Sequence, residues 1–396
     1  MAGSAVKKER PAFNPDMLRW AREWRGRTTE QAARKLKRSI AEIEAWEANR
    51  GAPTVSQARI LADFYDRHFL EFFLPERPDI PSPELVADYR MHAGVSPPTD
   101  NRELQAIQQW AETQRINALD LFEEIGEKPA VIPTTLFATV ENDPEIAAAA
   151  ARDAVSFPVQ EQIKLTNSQA DSLPNIIRKK FEAIGILTLR RAGLKKHGIR
   201  GICIAEFPLP VIVFRDEAPS AQAFTLAHEL GHVLLEESAF TGFRNPEYSR
   251  NPVEEWCDKF AASFLVPAER VKEIAGVKPI RPAASFDDEE LDRIADIFRV
   301  SPHAMLIRLV QIGYVEAAYY WNVKKPQFDE TDEHFRRFGR TKYYGSRYRN
   351  SLGDLYTGLV LEAWASGRIT NHAAAQYMGI KNISHLLDIR EQYRMS

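Results

Sequence analysis

The chain has 396 residues, of which 44% are hydrophobic, and its formal net charge is −3. This length and composition support two or three domains with buried cores and exclude a wholly disordered chain. The charge also excludes a basic protein that coats nucleic acid, so any contact with DNA would be local. The first 50 residues carry 12 Lys/Arg against seven Asp/Glu, which makes this end of the chain basic.

Cysteine content and apolar patterning indicate the compartment. Cys203 and Cys257 are too few for a disulfide framework or a thiolate zinc cluster. The sequence begins with no signal-peptide core, and no apolar run is long enough to span a bilayer. We therefore expect a cytoplasmic protein that makes no contact with a membrane.

Three helix starts separated by short turns open the chain. Asn14 precedes Pro15, whereas Thr28 and Ser39 are each followed three residues later by a partner for a capping box. A further periodic helix spans residues 54–70. The predicted buried positions are Leu18, Ala21, Ala32, Ala33, Leu36, Ile40, Ile43, Trp46, Ala58, Leu61, Ala62 and Tyr65. This spacing predicts a helix-turn-helix domain, although a small helical bundle that binds protein would show the same spacing.

The predicted recognition helix, Ser39–Ala48, is poorly suited to reading bases. It contains three glutamates and no basic residue, so it would bring negative charge to the phosphates. Basic and polar residues around its start are therefore the candidate contacts with the backbone of double-stranded DNA. These candidates are Arg34, Lys35, Lys37, Arg38 and Ser39.

A proline-rich stretch at residues 75–100 predicts a linker, and Asn101–Glu124 follows as a helix. The predicted buried positions of that helix are Leu104, Ile107, Trp110, Ile116 and Leu119. Residues 176–184 predict another helix that ends at Gly185. Three apolar runs then predict strands, namely ILTLRR, GICIAEF and VIVF. Prolines between the last two runs favour antiparallel strands, with VIVF (residues 211–214) near a sheet edge.

The stretch FTLAHELGHVLLE, residues 224–236, contains the clearest chemical motif. Residues four apart share a helix face, so His228 and His232 can present both imidazoles to one metal ion. Glu229 can take a proton from a water whose pKa the metal lowers to about 7. Nine histidines and 55 acidic residues would produce roughly 0.03 matches to this pattern by chance. A hydrolytic metal site is therefore favoured.

The third ligand is expected from the next helix, in VEEWCDKFAASFLVP. Glu254 is the candidate, with Glu255 as the alternative because the rotation of the helix is not visible in the sequence. Asp258, one turn beyond Glu254, is placed to accept a hydrogen bond from a ligand histidine and fix its tautomer. Cys257 is better explained as a small buried side chain. Zn²⁺ suits two histidines and a glutamate, and Mn²⁺ or Fe²⁺ would also be accepted.

FTLAHELGH followed by E-x-x-C-D-x-F-A-A-x-F-L-V-P resembles the ImmA/IrrE family of zinc metallopeptidases, particularly members fused to an N-terminal Cro/repressor-type (XRE) helix-turn-helix domain. WEANRGAPTVSQARILADFY resembles the end of that domain, and FFLPERPDIPSPELVADYR resembles its usual junction. The resemblance implies that the metal ligands are His228, His232 and Glu254. It assigns the general base to Glu229. Many family members have Asn where Asp258 stands, which is compatible with its supporting role.

The expected fold class is α+β and predominantly helical, with a zincin-like metallopeptidase core that contains a small antiparallel sheet. The expected domains are a helix-turn-helix domain at 1–75, a helical connector at 76–155, the peptidase core at 156–275 and a helical C-terminal region at 276–396. The resemblance implies an intracellular endopeptidase that cleaves a regulatory protein, a repressor. The helix-turn-helix domain would tether it to DNA or to that protein.

Other functions are compatible with the same residues. A DNA-binding transcriptional regulator, or a toxin–antitoxin or phage-defence component, would carry a latent or sensory metal site.

In zincins a bound peptide pairs with an edge strand, for which VIVF is the candidate. His197 and Tyr248 are possible stabilisers of the oxyanion. The basic and aromatic segment 335–350 suits either nucleic acid or an exposed loop that faces acidic parts of the chain.

Overall fold

Helices predominate in the computed structural model, which describes residues 13–25, 27–65, 67–78, 87–88, 102–192, 194, 199–242, 251–275, 282–332, 344–380 and 382–394. The predicted α+β, predominantly helical fold class is confirmed. None of the helices in these ranges is both long and apolar enough to cross a bilayer. The chain divides into two compact units, Met1–Leu85 with Pro98–Ala106, and Val86–Pro97 with Ile107–Ser396.

The helices are, in chain order, α1 (Pro15–Trp24), α2 (Thr29–Leu36), α3 (Ile40–Glu47), α4 (Val55–Tyr65), α5 (Arg102–Ile125), α6 (Pro144–Ala154), α7 (Val159–Ile163), α8 (Leu173–Ala183), α9 (Pro219–Leu234), α10 (Pro252–Leu265), α11 (Ala268–Ala275), α12 (Asp288–Phe298), α13 (Pro302–Gln311), α14 (Ala317–Tyr319), α15 (Lys325–Asp332), α16 (Tyr344–Ala365), α17 (Asn371–Tyr377) and α18 (Ser384–Arg394). The strands are β1 (Ala87–Asp88), β2 (Leu187–Arg190), β3 (Ile199–Ile204), β4 (Val211–Phe214) and β5 (Ala239–Gly242).

Side-chain caps fix the starts of the first three helices. Asn14 accepts a hydrogen bond from a first-turn N–H of α1, and Thr28 and Ser39 form reciprocal capping boxes at α2 and α3. Lys37, with a φ of 53°, turns the chain between α2 and α3. The predicted starts of these three helices therefore agree with the structure.

The core of the N-terminal unit is formed where α1 to α4 meet. Ile43 and Trp46 of α3 are buried in it, together with Phe13, Met17, Leu18, Trp20, Ala21, Ala32, Ala33, Ala58, Leu61, Ala62, Tyr65 and Phe72. The prediction that Ile40 is buried is wrong, because this residue is 41% exposed. Ile40 is the first residue of α3, and the burial of this helix begins one turn later at Ile43.

The five strands form one mixed sheet in the order β1-β5-β3-β4-β2. β3 pairs antiparallel with both β4 and β5, whereas β2 pairs parallel with β4. The prediction that residues 211–214 lie at a sheet edge is therefore wrong, because β4 has a partner on each side. Pro208 and Pro210 precede β4, so they remove no ladder hydrogen bond from it. The sheet is also not purely antiparallel.

Helix α9 occupies the centre of the larger unit. It is buried along almost its whole length and packs against α8, α10 and strand β3. Gly231 permits the close approach of α9 and α10, because a Cβ atom at this position would lie only 3.1 Å from Cys257 Sγ of α10. The two helices that carry the predicted metal ligands are therefore held side by side.

Helix α5 presents a buried stripe that differs in part from the predicted one. Leu104, Ile107, Ala111, Ala118 and Leu121 are buried, but Ile116 is 54% exposed, so the prediction for Ile116 is wrong. Nine residues separate Ile116 from Ile107, which rotates its side chain by about 180° to the opposite face of the helix.

A polar cluster holds the carboxyl end of α10. Arg308 of α13 binds the carboxylate of Glu145 and donates its Nε–H to the carbonyl of Val266 at 2.8 Å. Glu145 also accepts hydrogen bonds from Ser263 Oγ at 2.8 Å and from the backbone N–H of Ala268 at 3.0 Å. The helix that carries Glu254 is thus fixed at its far end by two other helices.

The C-terminal helices join the sheet region through Glu182 of α8. This buried carboxylate accepts hydrogen bonds from the backbone N–H groups of Asp354 and Leu355, each at 2.9 Å. The contact lies where α16 is interrupted at Gly353, so Glu182 caps the second part of that helix. Of the basic and aromatic segment, residues 335–343 lie outside the described residues and 344–350 begin α16.

Candidate metal centre

The two histidines of the motif lie one turn apart on α9 and face the same point. Their Nε2 atoms are 3.2 Å apart, and both side chains are buried. Helix periodicity explains the convergence, since residues at i and i+4 lie one above the other. The predicted pairing of His228 and His232 on one helix face is therefore present in the structure.

Glu254 approaches this histidine pair from the first turn of α10. Its Oε1 lies 3.0 Å from His232 Nε2, and its Oε2 lies 3.6 Å from His228 Nε2. The neighbouring Glu255 instead points outward and pairs with Lys259 at 2.8 Å. The rotation of α10 therefore places Glu254, and not Glu255, beside the histidines.

The three donor groups fit a metal ion of zinc size. The two Nε2 atoms are 3.2 Å apart and Glu254 Oε1 is 3.0 Å from His232 Nε2, close to the tetrahedral edge of about 3.3 Å that zinc–nitrogen distances near 2.0–2.1 Å produce. The other oxygen of the same carboxylate, Oε2, lies 3.6 Å from His228 Nε2. Two imidazoles and one carboxylate also suit manganese and iron. Three protein donors leave one tetrahedral position for water or substrate, as in catalytic and not structural zinc sites.

Asp258 supports His228 from the outer side. Its Oδ1 lies 2.9 Å from His228 Nδ1, one helical turn beyond Glu254 on α10. A carboxylate at Nδ1 keeps the proton on that nitrogen and directs Nε2 toward the other donors. The structure thus places Asp258 within hydrogen-bonding distance of His228, and its support of a metal ligand stays a prediction.

The charges of these groups are strongly coupled. Burial lowers the pKa of His228, but hydrogen bonds to Asp258 and Glu254 outweigh it and raise that pKa to about 10. Burial raises the pKa of Glu254, but hydrogen bonds from His228 and His232 hold it far below its ordinary value. Without a metal, therefore, Glu254 is ionised and His228 retains a proton that a cation would replace.

Cys257 is a second candidate donor beside the histidines. Its Sγ and one ring nitrogen from each of His228 and His232 all lie within 4.8 Å of one another. However, Cys257 packs against the backbone of α9 at Gly231, and burial raises the pKa of its thiol well above the ordinary value. Because a ligand cysteine must be a thiolate, the nearer carboxylate of Glu254 is the better third ligand.

Glu229 is fully buried on the same helix, between the two histidines in sequence. Its carboxylate lies against strand β3 at Gly201, where a Cβ atom would come within 2.1 Å of Glu229 Oε1. Sequence reasoning missed Gly201. The available signal was a glycine inside the apolar strand IRGICI, since an isolated glycine in a strand marks a close approach.

The candidate DNA contacts are exposed on the N-terminal unit, namely Arg34, Lys35, Lys37, Arg38 and Ser39. Three of them also make contacts within that unit. Ser39 Oγ accepts the backbone N–H of Glu42, and Arg38 lies 3.6 Å from the carboxylate of the same residue. Lys35 Nζ lies 5.7 Å from the centroid of the Phe64 ring. His197 and Tyr248, the possible oxyanion stabilisers, lie outside the described residues.

Residues 182–310 match the family model described as the IrrE N-terminal-like domain, which is a peptidase family. This range contains strands β2 to β5 and helices α9 and α10, and therefore every donor of the candidate centre. The match supports a metal-dependent peptidase of the IrrE type, whose substrate is a protein. A comparison with curated proteins finds no match.

Proposed function

We propose that the protein is a metalloendopeptidase in which His228, His232 and Glu254 hold one metal ion and Glu229 is the general base. The observation that carries this proposal is the convergence of three buried donors, two from α9 and one from α10. Glu229, which is also buried, follows His228 directly on α9. A site that only stabilised the fold would need four ligands and no adjacent base.

We propose zinc as the metal ion, with manganese or iron as alternatives. When bound, it would supply Lewis acidity toward water and the scissile carbonyl. Glu229 takes a proton from the attacking water and returns it to the nitrogen of the leaving amine as the C–N bond breaks. Asp258 keeps His228 in the tautomer whose Nε2 can bind a cation. Burial of the site strengthens each of these electrostatic interactions.

The substrate we propose is a regulatory protein, a repressor, inside the cell. The N-terminal unit would act as a helix-turn-helix domain that tethers the peptidase to DNA or to that repressor. Support comes from the capped α2-turn-α3 pair and the basic charge of the first 50 residues. The family likeness of residues 182–310 supports the peptidase half of the proposal.

The test is mass-spectrometric mapping of new protein N-termini in lysate of the native host. Wild type and Glu229→Gln are compared, each supplied first with zinc and then with manganese, because the amide keeps the shape of the side chain but cannot accept the proton. Glu255→Gln, which alters an exposed carboxylate on the same helix as Glu254, is the matched control.

New termini with wild type and Glu255→Gln, but not with Glu229→Gln, would establish the endopeptidase and identify its substrate. Equal cleavage by Glu229→Gln would refute the assigned base. If no variant cleaves anything with either metal, the chain is better described as a regulator or as a toxin–antitoxin or phage-defence component with a latent or sensory metal site.

A further inference from the structure

Strand β3 lies directly against the carboxylate of Glu229. An ideal Cβ built at Gly201 would be 2.1 Å from Oε1, 2.7 Å from Cδ and 2.9 Å from Cγ of that glutamate. These are the three nearest atoms, and all belong to one side chain. A real Cβ does not approach other heavy atoms this closely, so the glutamate occupies the space that any other residue at position 201 would need.

The backbone at Gly201 does not itself require glycine. Gly201 is absent from the residues with positive φ, so an L-residue could adopt its conformation. Gly201 is paired with Phe214 of β4 on one side and with Thr241 of β5 on the other. What distinguishes the position is the contact with Glu229, together with a register shift between Ile199 and Gly201 in the pairing with β5.

We infer that Gly201 is a positioning residue for Glu229, because the bare backbone of β3 forms the wall against which the carboxylate lies. Its effect on catalysis rests on the proposed function, whereas the contact with Glu229 does not. The wall matters because a general base acts only within hydrogen-bond reach of the proton that it takes. A side chain at position 201 would push the carboxylate away from that place.

The residue that a substitution at Gly201 would displace is the proposed base, and the proposed metal ligands are different residues. The three atoms nearest to a Cβ at Gly201 all belong to Glu229, and none belongs to His228, His232 or Glu254. Gly231 provides a contrast, since a Cβ there would meet Cys257 at 3.1 Å and would press on the contact between α9 and α10. Substitution of Gly201 should therefore impair the base while the metal site remains intact.

The first experiment is a thermal-unfolding cycle on the metal-free protein, which needs no enzymatic activity. Gly201→Ala is made in the wild-type background and in Glu229→Ala. We expect the first substitution to lower the Tm by about 5 °C, and the same change to cost less than about 1 °C once the glutamate is gone. The reason is that the shortened side chain leaves room for the new methyl group.

An equal loss of Tm in both backgrounds would overturn the inference, because the conflict would then be with something other than Glu229. If Gly201→Ala fails to fold in the wild-type background but folds with Glu229→Ala, the inference is supported. If it folds in neither background, the inference is wrong.

The second experiment measures zinc content and cleavage of the protein substrate identified by N-terminal mapping. We expect Gly201→Ala to bind zinc as wild type does and to keep its KM, while kcat falls about 100-fold. Gly358→Ala is the matched control, since its new Cβ would lie 2.5 Å from Tyr393 Oη in the C-terminal helices. That variant should lose stability and keep its kcat.

If Gly201→Ala keeps the kcat of wild type, Gly201 does not position the base, even if the unfolding cycle shows that positions 201 and 229 are in contact. A parallel loss of zinc would also overturn it, because the substitution would then act through the ligands. If wild type itself cleaves nothing, the proposed function fails, and the unfolding cycle alone decides whether β3 holds Glu229.

Discussion

His228 and Asp258 lie on neighbouring helices, and the distance between Nδ1 of the histidine and Oδ1 of the aspartate is 2.9 Å. This contact fixes which ring nitrogen of His228 faces the other donors, because the proton stays on the nitrogen that donates to the carboxylate. In the proposed metal site, the orientation of His228 on α9 therefore depends on a residue of α10 that is not itself a proposed ligand.

Removal of that contact should weaken metal binding without abolishing it. We expect Asp258→Ala to lower zinc affinity about 10–100-fold, which is the usual effect of losing a carboxylate that supports a ligand histidine. Asp258→Asn should lose much less, because its amide oxygen still accepts the hydrogen bond. Competition with a chromophoric chelator measures both affinities, and Glu255→Ala is the control on the exposed side of the same helix. Equal affinities for Asp258→Ala and wild type would contradict the role.

The choice between the two possible third ligands is testable by a pair of substitutions. Glu254→Gln should eliminate stoichiometric zinc binding, because an amide oxygen is a weak ligand and the two histidines alone hold zinc poorly. Cys257→Ala should retain one zinc per chain, since its Sγ packs against α9 at Gly231. Metal content after gel filtration provides the measurement. The reverse result would make Cys257 the ligand.

The sequence predicts local features of this protein better than contacts between distant segments. Caps such as Asn14 and Thr28 depend on side chains a few residues away, and the histidine pair depends only on helical periodicity. Whether Glu254 or Glu255 faces the histidines depends on how α10 packs, which the sequence of α10 does not state. The neighbours of β4 and the closeness of Gly201 to Glu229 likewise follow from contacts between distant segments.

Stability of the metal-free protein should depend on pH in the alkaline range. The pKa of His228 is raised from 6.5 to about 10, so its ion pair contributes fully below about pH 6.5 and is lost as the pH rises toward 10. Glu254 has a lowered pKa, so its contribution is present above about pH 4.5 and is lost only in stronger acid. We therefore expect the Tm of chelator-treated protein to fall between pH 6.5 and 9.5.

Two further measurements test whether His228 causes the predicted fall of Tm at alkaline pH. His228→Gln should flatten it, because the titrating proton is removed. Saturating zinc should abolish it, because the metal ion replaces the proton between His228 and Glu254. An unchanged slope in His228→Gln would assign the effect to other groups.

Arg308 of α13 should matter to stability although it contacts the end of α10 that is far from the candidate ligands. Arg308→Met removes the guanidinium that binds Glu145 and the donor to the carbonyl of Val266, so we expect a loss of about 2 kcal/mol in unfolding free energy. Denaturant unfolding measures this loss. Arg308→Met with Glu145→Met should recover part of it, since no unpaired carboxylate then remains. A double variant no more stable than Arg308→Met would show that the carboxylate is not the cause.

Substitutions in the N-terminal unit can test the proposal that this unit binds DNA. If this unit binds DNA, its affinity for the promoter beside its own gene should fall steeply with salt, because phosphate contacts dominate. Lys37 has a φ of 53°, a conformation that asparagine tolerates, so Lys37→Asn removes one charge while preserving the turn between α2 and α3. This variant should reduce the slope of log affinity against log salt by about 1. Glu44→Gln on the exposed side of α3 should strengthen binding, because it removes repulsion from the phosphates. Fluorescence anisotropy measures the binding. If no binding occurs at low salt, the DNA-binding proposal is wrong, and a protein partner remains as the proposed tether.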